Sequence, residues 1–235
     1  MTRSSSLPVP LPRRFYNRNT LEVTRDLIGK SLVRHLDGQV LVGRIVETEA
    51  YIGEDDPACH ASRGLTPRTR VMYGPPGFSY VYFTYGMYFM LNVVCEREGF
   101  PAAALIRAVE PITGLDKMRE LRQTTSEKRL TNGPGKLCVA FDITTALNGV
   151  DLTRKTSILQ ICAGNDSAQV MWSPRVGIRE GTDKIWRCFA PNSPFVSSAK
   201  INLRKRKSQV EIRSQVESRK SGKGTVNSRI RNPDR

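Results

Sequence analysis

Glu47 and Glu49, two residues apart in "IVETEAY", are the side chains of this sequence whose type and spacing point most directly to acid–base chemistry. On an extended strand both carboxylates project to one side, together with Ile45 and Tyr51. The ordinary reading of such a pair is two solvated carboxylates at a strand end. The flanking Ile45, Val46, Ala50 and Tyr51 argue for burial instead. A buried carboxyl has its pKa raised toward neutrality and can then serve as a general base. Spacing alone does not choose between the two glutamates. His60 sits in a polar loop, where a histidine is ordinarily just solvated. Thr66, Arg68 and Arg70, again two apart, read first as a wet loop. The glycines of "GPPG" and "NGPGK" can present backbone N–H groups to an anion, but neither stretch matches the GxxxxGK[ST] nucleotide loop. A helix starting at "GPGKLC", with Lys136 in its first turn, suits a nucleic-acid phosphate better.

These groups need elements to hold them. "YVYFTYGMYFMLNVV" (residues 80–94) alternates like a strand but is too long for one, so it reads as a hairpin turning at Tyr85-Gly86. Hairpin tips usually carry Asn-Gly or Asp-Gly. Here Tyr85 and Met87 would face water. Either they cover a neighbouring apolar patch, or they form a wedge of the kind that pushes between base steps. In the second case Tyr51, Tyr82 and His60 are candidate walls for an extruded nucleotide. Around this hairpin, "NTLEVTRDLIG" predicts a helix capped by Asn19 or Thr20, ended by Gly29 and buried through Leu21, Leu27 and Ile28. "SLVRHL" and "QVLVGRIVETEAYI" predict strands joined at Asp37-Gly38. "AAALIRAVEP" predicts a buried strand, "GLDKMRELRQ" and "PGKLCVA" predict short helices, and "PRVGI", "WRCFA" and "SPFVS" predict short strands.

Lys and Arg outnumber Asp and Glu by 37 to 22, a net charge of +15. From Lys200 onward there are twelve basic and three acidic residues, so the preceding 199 still carry about +6. A basic body as well as a basic tail favours a polyanionic partner, nucleic acid above all. A basic RNA-associated structural protein would share that charge but has no use for the apolar tip. The five cysteines (Cys59, Cys95, Cys138, Cys162, Cys188) form no CxxC pair, and the only histidines are His35 and His60, so zinc-ligand spacing is absent and reduced thiols are expected. The N-terminus has no apolar signal-peptide core, and no stretch is long enough to span a bilayer. A soluble internal protein is expected. Residues 1–14, rich in Ser, Pro and Arg, are expected to be mobile, and the tail too polar to fold alone.

In order along the chain, "GRIVETEAYIGEDDPACHASRGLTPRTRVMYGPPGFSYVYFTYGMYFMLNVV", "LIRAVEP", "TNGPGKLC", "PRVGI" and "SPFVS" resemble the alkyladenine (3-methyladenine) DNA glycosylase family over about residues 13–198. The resemblance implies an α+β fold: a single mixed domain with a curved antiparallel β-sheet, peripheral helices and a protruding β-hairpin. Residues 1–12 would be a flexible N-terminus, 13–198 the glycosylase domain and 199–235 a disordered basic tail. It implies a monofunctional enzyme that acts on double-stranded DNA containing damaged purines, flips the damaged nucleotide and hydrolyses the N-glycosidic bond. Neither cofactor nor metal is implied, nor a membrane, and the protein is expected to be a monomer, nucleoid-associated in a prokaryote or nuclear in a eukaryote. By resemblance the catalytic base falls on Glu49, and Arg107 helps hold the attacking water. Tyr51, His60 and Tyr82 stack on the lesion, and Asn92 crowds a purine 2-amino group. Tyr85 is the wedge, while Met87, Tyr88, Thr66, Arg68, Gly135 and Lys136 fall on DNA-contacting positions. Cys59 departs from the small residue expected before the histidine, and "WRCFAPNSPFVS" matches less well than the rest.

Overall fold

The computed structural model describes residues 9–164 and 169–198. Their frame is one antiparallel sheet in an α+β domain. Its strands are β1 (Ser31–Leu36), β2 (Gln39–Ile52), β3 (Ser79–Thr84), β4 (Tyr88–Val94), β5 (Ala102–Thr113), β6 (Leu159–Cys162), β7 (Met171–Ser173) and β8 (Arg187–Phe189). They are ordered β3-β4-β5-β2-β1-β6, with β8 joining β2 and β7 joining β8. Strands β1 and β2 meet through Asp37-Gly38, both at positive φ (48° and 74°), which gives the two-residue turn the right twist for a hairpin.

The sheet bends where its pairing slips. Strand β1 follows one edge of β2 as far as Arg44, and β8 takes over that edge from Glu47 to Glu49, while β5 runs along the other edge. Between β2 and β5, Ile45 pairs Val109 and Glu47 pairs Ala108, then Thr48 pairs Ile106. Val46 and Arg107 are thereby left without cross-strand partners. Such irregularities kink a strand and re-aim its side chains. They also break the alternation expected from spacing. Ile45 packs into the main core rather than on the side of Glu47, Glu49 and Tyr51.

Helix α2 (Thr20–Asp26) starts where Asn19 Oδ1 accepts the Leu21 N–H, and its Leu21 and Val23 are buried. Helix α4 (Pro134–Ala140) follows Gly133 and packs on β4 and β5, with α3 (Leu115–Arg122) beside it. Leu27, Leu32, Ile45, Val81, Leu91, Val93, Ile106, Leu137 and Phe141 build the main core between these helices and the sheet. The opposite side chains of the same strands, Tyr80, Val94 and Ala103, join Cys59, Ala61 and Met72 in a second, smaller cluster. All five cysteines are buried and unpaired.

Two expectations need correction. The stretch expected to be mobile is anchored where described: Leu11 is buried, its N–H donates to the Ile161 carbonyl at 2.8 Å, and Arg13–Tyr16 form the short helix α1. Residues 1–8 and the tail expected over 199–235 lie outside the described residues. Of the three short strands expected near the C-terminus, only part of "WRCFA" is one; "PRVGI" and "SPFVS" are bends and turns, because their polar groups are spent on buried carboxylates rather than on a ladder. Finally, β6 and β7 form without having been singled out in the sequence.

Candidate active site

The pair of glutamates lies mid-sheet, not at a solvated strand end. Glu47 and Glu49 are both fully buried, since β2 is flanked on one side by β5 and on the other by β8. Arg107, the partnerless residue of β5, spans them: its Nε donates to Glu47 Oε1 at 2.9 Å and its Nη1 to Glu49 Oε2 at 3.2 Å. Glu49 Oε2 also accepts from the Tyr51 hydroxyl at 2.9 Å, and Oε1 from the Val176 N–H at 2.7 Å. A carboxylate offers about four acceptor positions, so three hydrogen bonds leave Glu49 one for a water. Burial alone would raise the pKa of Glu47, but Arg107 and Arg187 hold it below the usual carboxylate range, helped by the Ser197 N–H.

Tyr51 connects this charged centre to an aromatic hollow. The hollow is lined by Tyr51, Ala58, His60, Met72, Tyr80, Tyr82, Asn92 and Ala103. Its free space, about 20 Å³, admits a water and not a purine. The rings of His60 and Tyr82 touch edge to face at 4.4 Å, so no slot stands open between them. His60 Nδ1 lies 2.8 Å from the Tyr80 hydroxyl, and burial, with Arg68 and Arg63 nearby, pulls its pKa down to about 4, leaving a neutral imidazole. Burial pushes the Tyr51 and Tyr82 hydroxyls up, so both stay protonated. Asn92 is buried opposite Tyr80 and donates its amide N–H to the Tyr80 carbonyl at 3.0 Å, which fixes the side chain at the hollow's wall. A larger hollow, about 380 Å³, opens elsewhere, between the end of α2 and residues 190–194. Its charged pair, Arg44 and Glu110, satisfies itself at 2.6 Å, so the chemistry follows the buried carboxylates and not the volume.

The hairpin leaves this hollow through Tyr82 and turns at Tyr85-Gly86, both at positive φ, with the Met87 N–H donating to the Thr84 carbonyl at 3.2 Å. Tyr85 is 73% exposed and Met87 62%, so the tip covers no neighbouring apolar patch. Tyr88, the first residue of β4 beside the turn, packs against Gly135 of α4, where a Cβ would come within 2.6 Å of the ring. Lys136 donates to Asn132 Oδ1 at 2.8 Å, and partial burial, with Arg122 and Arg129 close by, depresses its pKa. Arg68 lies 5.0 Å over the Tyr82 ring and reaches the Phe83 carbonyl at 3.4 Å. The Thr66 hydroxyl is engaged with Thr69 in its own turn.

Sequence reasoning missed the residues that support this centre from far along the chain. Arg175 forms a fully buried bidentate pair with Asp56 (2.6 and 2.8 Å), and its guanidinium lies 4.8 Å from the Tyr51 ring centroid and 5.1 Å from that of Trp186. Arg187 and Ser197 bind Glu47. The less well matched C-terminal stretch thus delivers side chains to the centre. Among the described residues, no group of three or more His, Cys, Asp or Glu could hold a metal ion, and no helix is long and apolar enough to cross a membrane.

A curled antiparallel sheet thus carries a buried carboxylate pair at its middle, with an aromatic hollow and an exposed apolar hairpin tip beyond it. The chain belongs to the methylpurine-DNA glycosylase family, whose model matches residues 14–194. It is 52% identical over 195 residues to a protein of Methanocella arvoryzae named "Putative 3-methyladenine DNA glycosylase", covering 81% of this chain and 96% of that protein. Proteins of the same name from Chlorobaculum parvum and Sodalis glossinidius are 46% and 51% identical over 84% and 75% of this chain, and over 95% and 94% of their own lengths. The protein is accordingly a hydrolase of N-glycosyl bonds that acts on DNA in repair.

Proposed function

We propose that this protein flips alkylated and deaminated purines, of the 3-methyladenine, 7-methylguanine, hypoxanthine and ethenoadenine type, out of duplex DNA and hydrolyses their glycosidic bond, leaving an abasic site and an uncut strand. The observation that carries the proposal is a fully buried carboxylate with one acceptor position to spare, one hydrogen bond behind the wall of an aromatic hollow. In this reading Glu49 takes a proton from a water whose oxygen attacks the sugar C1′, while the C1′–N bond electrons leave with the base. Arg107 keeps Glu49 oriented and helps place the water. A purine methylated at N3 or N7 is already cationic and leaves without much acid help, so for such lesions one carboxylate suffices where ordinary glycosidases use two. Between Tyr51, His60 and Tyr82 such a ring would gain about 0.5–2 kcal/mol of cation–π attraction. Damaged pairs also open more cheaply.

Entry of the base requires His60 and Tyr82 to part, and Asn92 would meet a purine 2-amino group at the hollow's wall. Tyr85 would fill the gap in the helix, with Met87, Tyr88, Thr66, Arg68, Gly135 and Lys136 along the DNA and the protein acting as a monomer. No lysine lines the hollow or touches Glu49 among the described residues, which favours hydrolysis over a Schiff-base lyase step. The test is Glu49→Gln, assayed by single-turnover release of hypoxanthine from a duplex. We expect lesion binding to persist and base release to fall by about 10²–10⁴-fold. Release at the parental rate would overturn the assignment.

A further inference from the structure

We propose that Glu47, held between Arg187 and Ser197, is a positioning residue that sets the guanidinium of Arg107 against Glu49 and limits its grip there. The inference rests on the reading of Glu49 as the base. Glu47 is fully buried, yet it accepts four hydrogen bonds, one more than Glu49. Its Oε1 accepts from Arg107 Nε at 2.9 Å, Arg187 Nε at 2.6 Å and Ser197 Oγ at 2.8 Å, and its Oε2 from the Ser197 N–H at 2.7 Å. Arg107, by contrast, has no cross-strand partner to aim it. Its direction is set by Glu47 at one nitrogen and Glu49 at another. Arg187 stands opposite Glu49 in the β2–β8 register but turns to Glu47 and to the Ser173 hydroxyl (3.0 Å), leaving its Nη2 buried without a hydrogen-bond partner. A cation in that posture serves Glu47 at its own expense.

The charges alternate: Arg187, Glu47, Arg107, Glu49. Because Arg107 is shared, Glu49 does not receive its whole charge. A base gripped entirely by a guanidinium would stay ionised but accept a proton poorly. The other groups facing Glu49 are the Tyr51 hydroxyl on its own strand, the Val176 N–H, Arg175 with its Asp56 partner, and Tyr82 on β3. None of them engages Arg107 with a negative charge. Glu47 alone does.

The experiment measures single-turnover base release against pH for the full-length protein and three variants, with lesion-duplex affinity alongside. For Glu47→Gln the rate at neutral pH should fall about tenfold or more, and the acid limb should move to lower pH by about half a unit or more, because a repelling negative charge is gone. Affinity should hold. Glu47→Asp keeps the charge but not the reach, so its rate should fall with the acid limb in place. Ser197→Ala removes a single hydrogen bond and should fold in any case, with a rate lowered about threefold. An unmoved acid limb in Glu47→Gln would reduce Glu47 to a structural residue and overturn the inference. If that variant does not fold, a parental rate in Ser197→Ala overturns it equally. Should the parent protein itself release neither hypoxanthine nor 3-methyladenine, the assigned reaction fails, and the role of Glu47, which rests on it, falls with it; an active parent with an unmoved Glu47→Gln overturns the role of Glu47 alone.

Discussion

Lowering the pH should unlock the aromatic hollow through His60. The imidazole opens the short 3-10 turn His60–Arg63, with Nδ1 against the Tyr80 hydroxyl and its ring edge against Tyr82. Its pKa falls from 6.5 in the unfolded chain to about 4 in the folded one, chiefly through burial. The unfolded chain therefore takes up a proton that the folded one refuses. The stability this contributes is fully present above pH 6.5 and is lost as the pH falls toward 4. At 1.36 kcal/mol per unit, the loss is roughly 3 kcal/mol. The assay is urea unfolding at pH 7.5 and pH 4, comparing the parent with His60→Gln, whose amide can still meet the Tyr80 hydroxyl. Asp26, Glu47 and Asp151, also held below their ordinary values, weaken both proteins in acid and cancel in the comparison. The variant should lose about 3 kcal/mol less than the parent between the two pH values. Equal losses would refute the reasoning.

Two further substitutions probe the hairpin. Tyr85 holds a positive φ that a bulky residue adopts only at a cost of about 1–2 kcal/mol. Tyr85→Asn should raise the unfolding free energy by about 1 kcal/mol while lowering base release from lesion duplex; a variant that gains stability and keeps full activity would remove the wedge from the mechanism. Gly135→Ala drives a methyl into the Tyr88 ring and should cost about 1–3 kcal/mol in a chemical melt, with weakened DNA affinity as the turn end of the hairpin shifts. An unchanged midpoint would show that the ring yields freely.

Local features were legible in the sequence. Asp37-Gly38 announced its turn, the Asn19-Thr20 pair its helix start, and the aromatic run its hairpin, because each is decided by neighbouring residues. The resemblance to a family named Glu49, which the spacing of "ETEAY" left level with Glu47. What the sequence concealed is nonlocal. The Arg175–Asp56 pair joins residues 119 apart and the Glu47–Arg187 pair residues 140 apart, so no window along the chain contains both partners. The slip in pairing near Ile45 was equally hidden, since strand alternation assumes an unbroken ladder. "PRVGI" shows the cost of reading composition alone: it looks like a strand, yet it is a bend that sends Val176 to Glu49 and Arg175 to Asp56.

The interior placement of the cysteine sulfurs bears on how the protein meets electrophiles. Burial pushes the thiols of Cys59 and Cys138 up to about 12 and that of Cys162 to about 11, and those of Cys95 and Cys188 higher still. Only a thiolate is a strong nucleophile, and at neutral pH the folded chain holds almost none. Electrophiles that react with thiolates would therefore find little cysteine sulfur on this protein to attack.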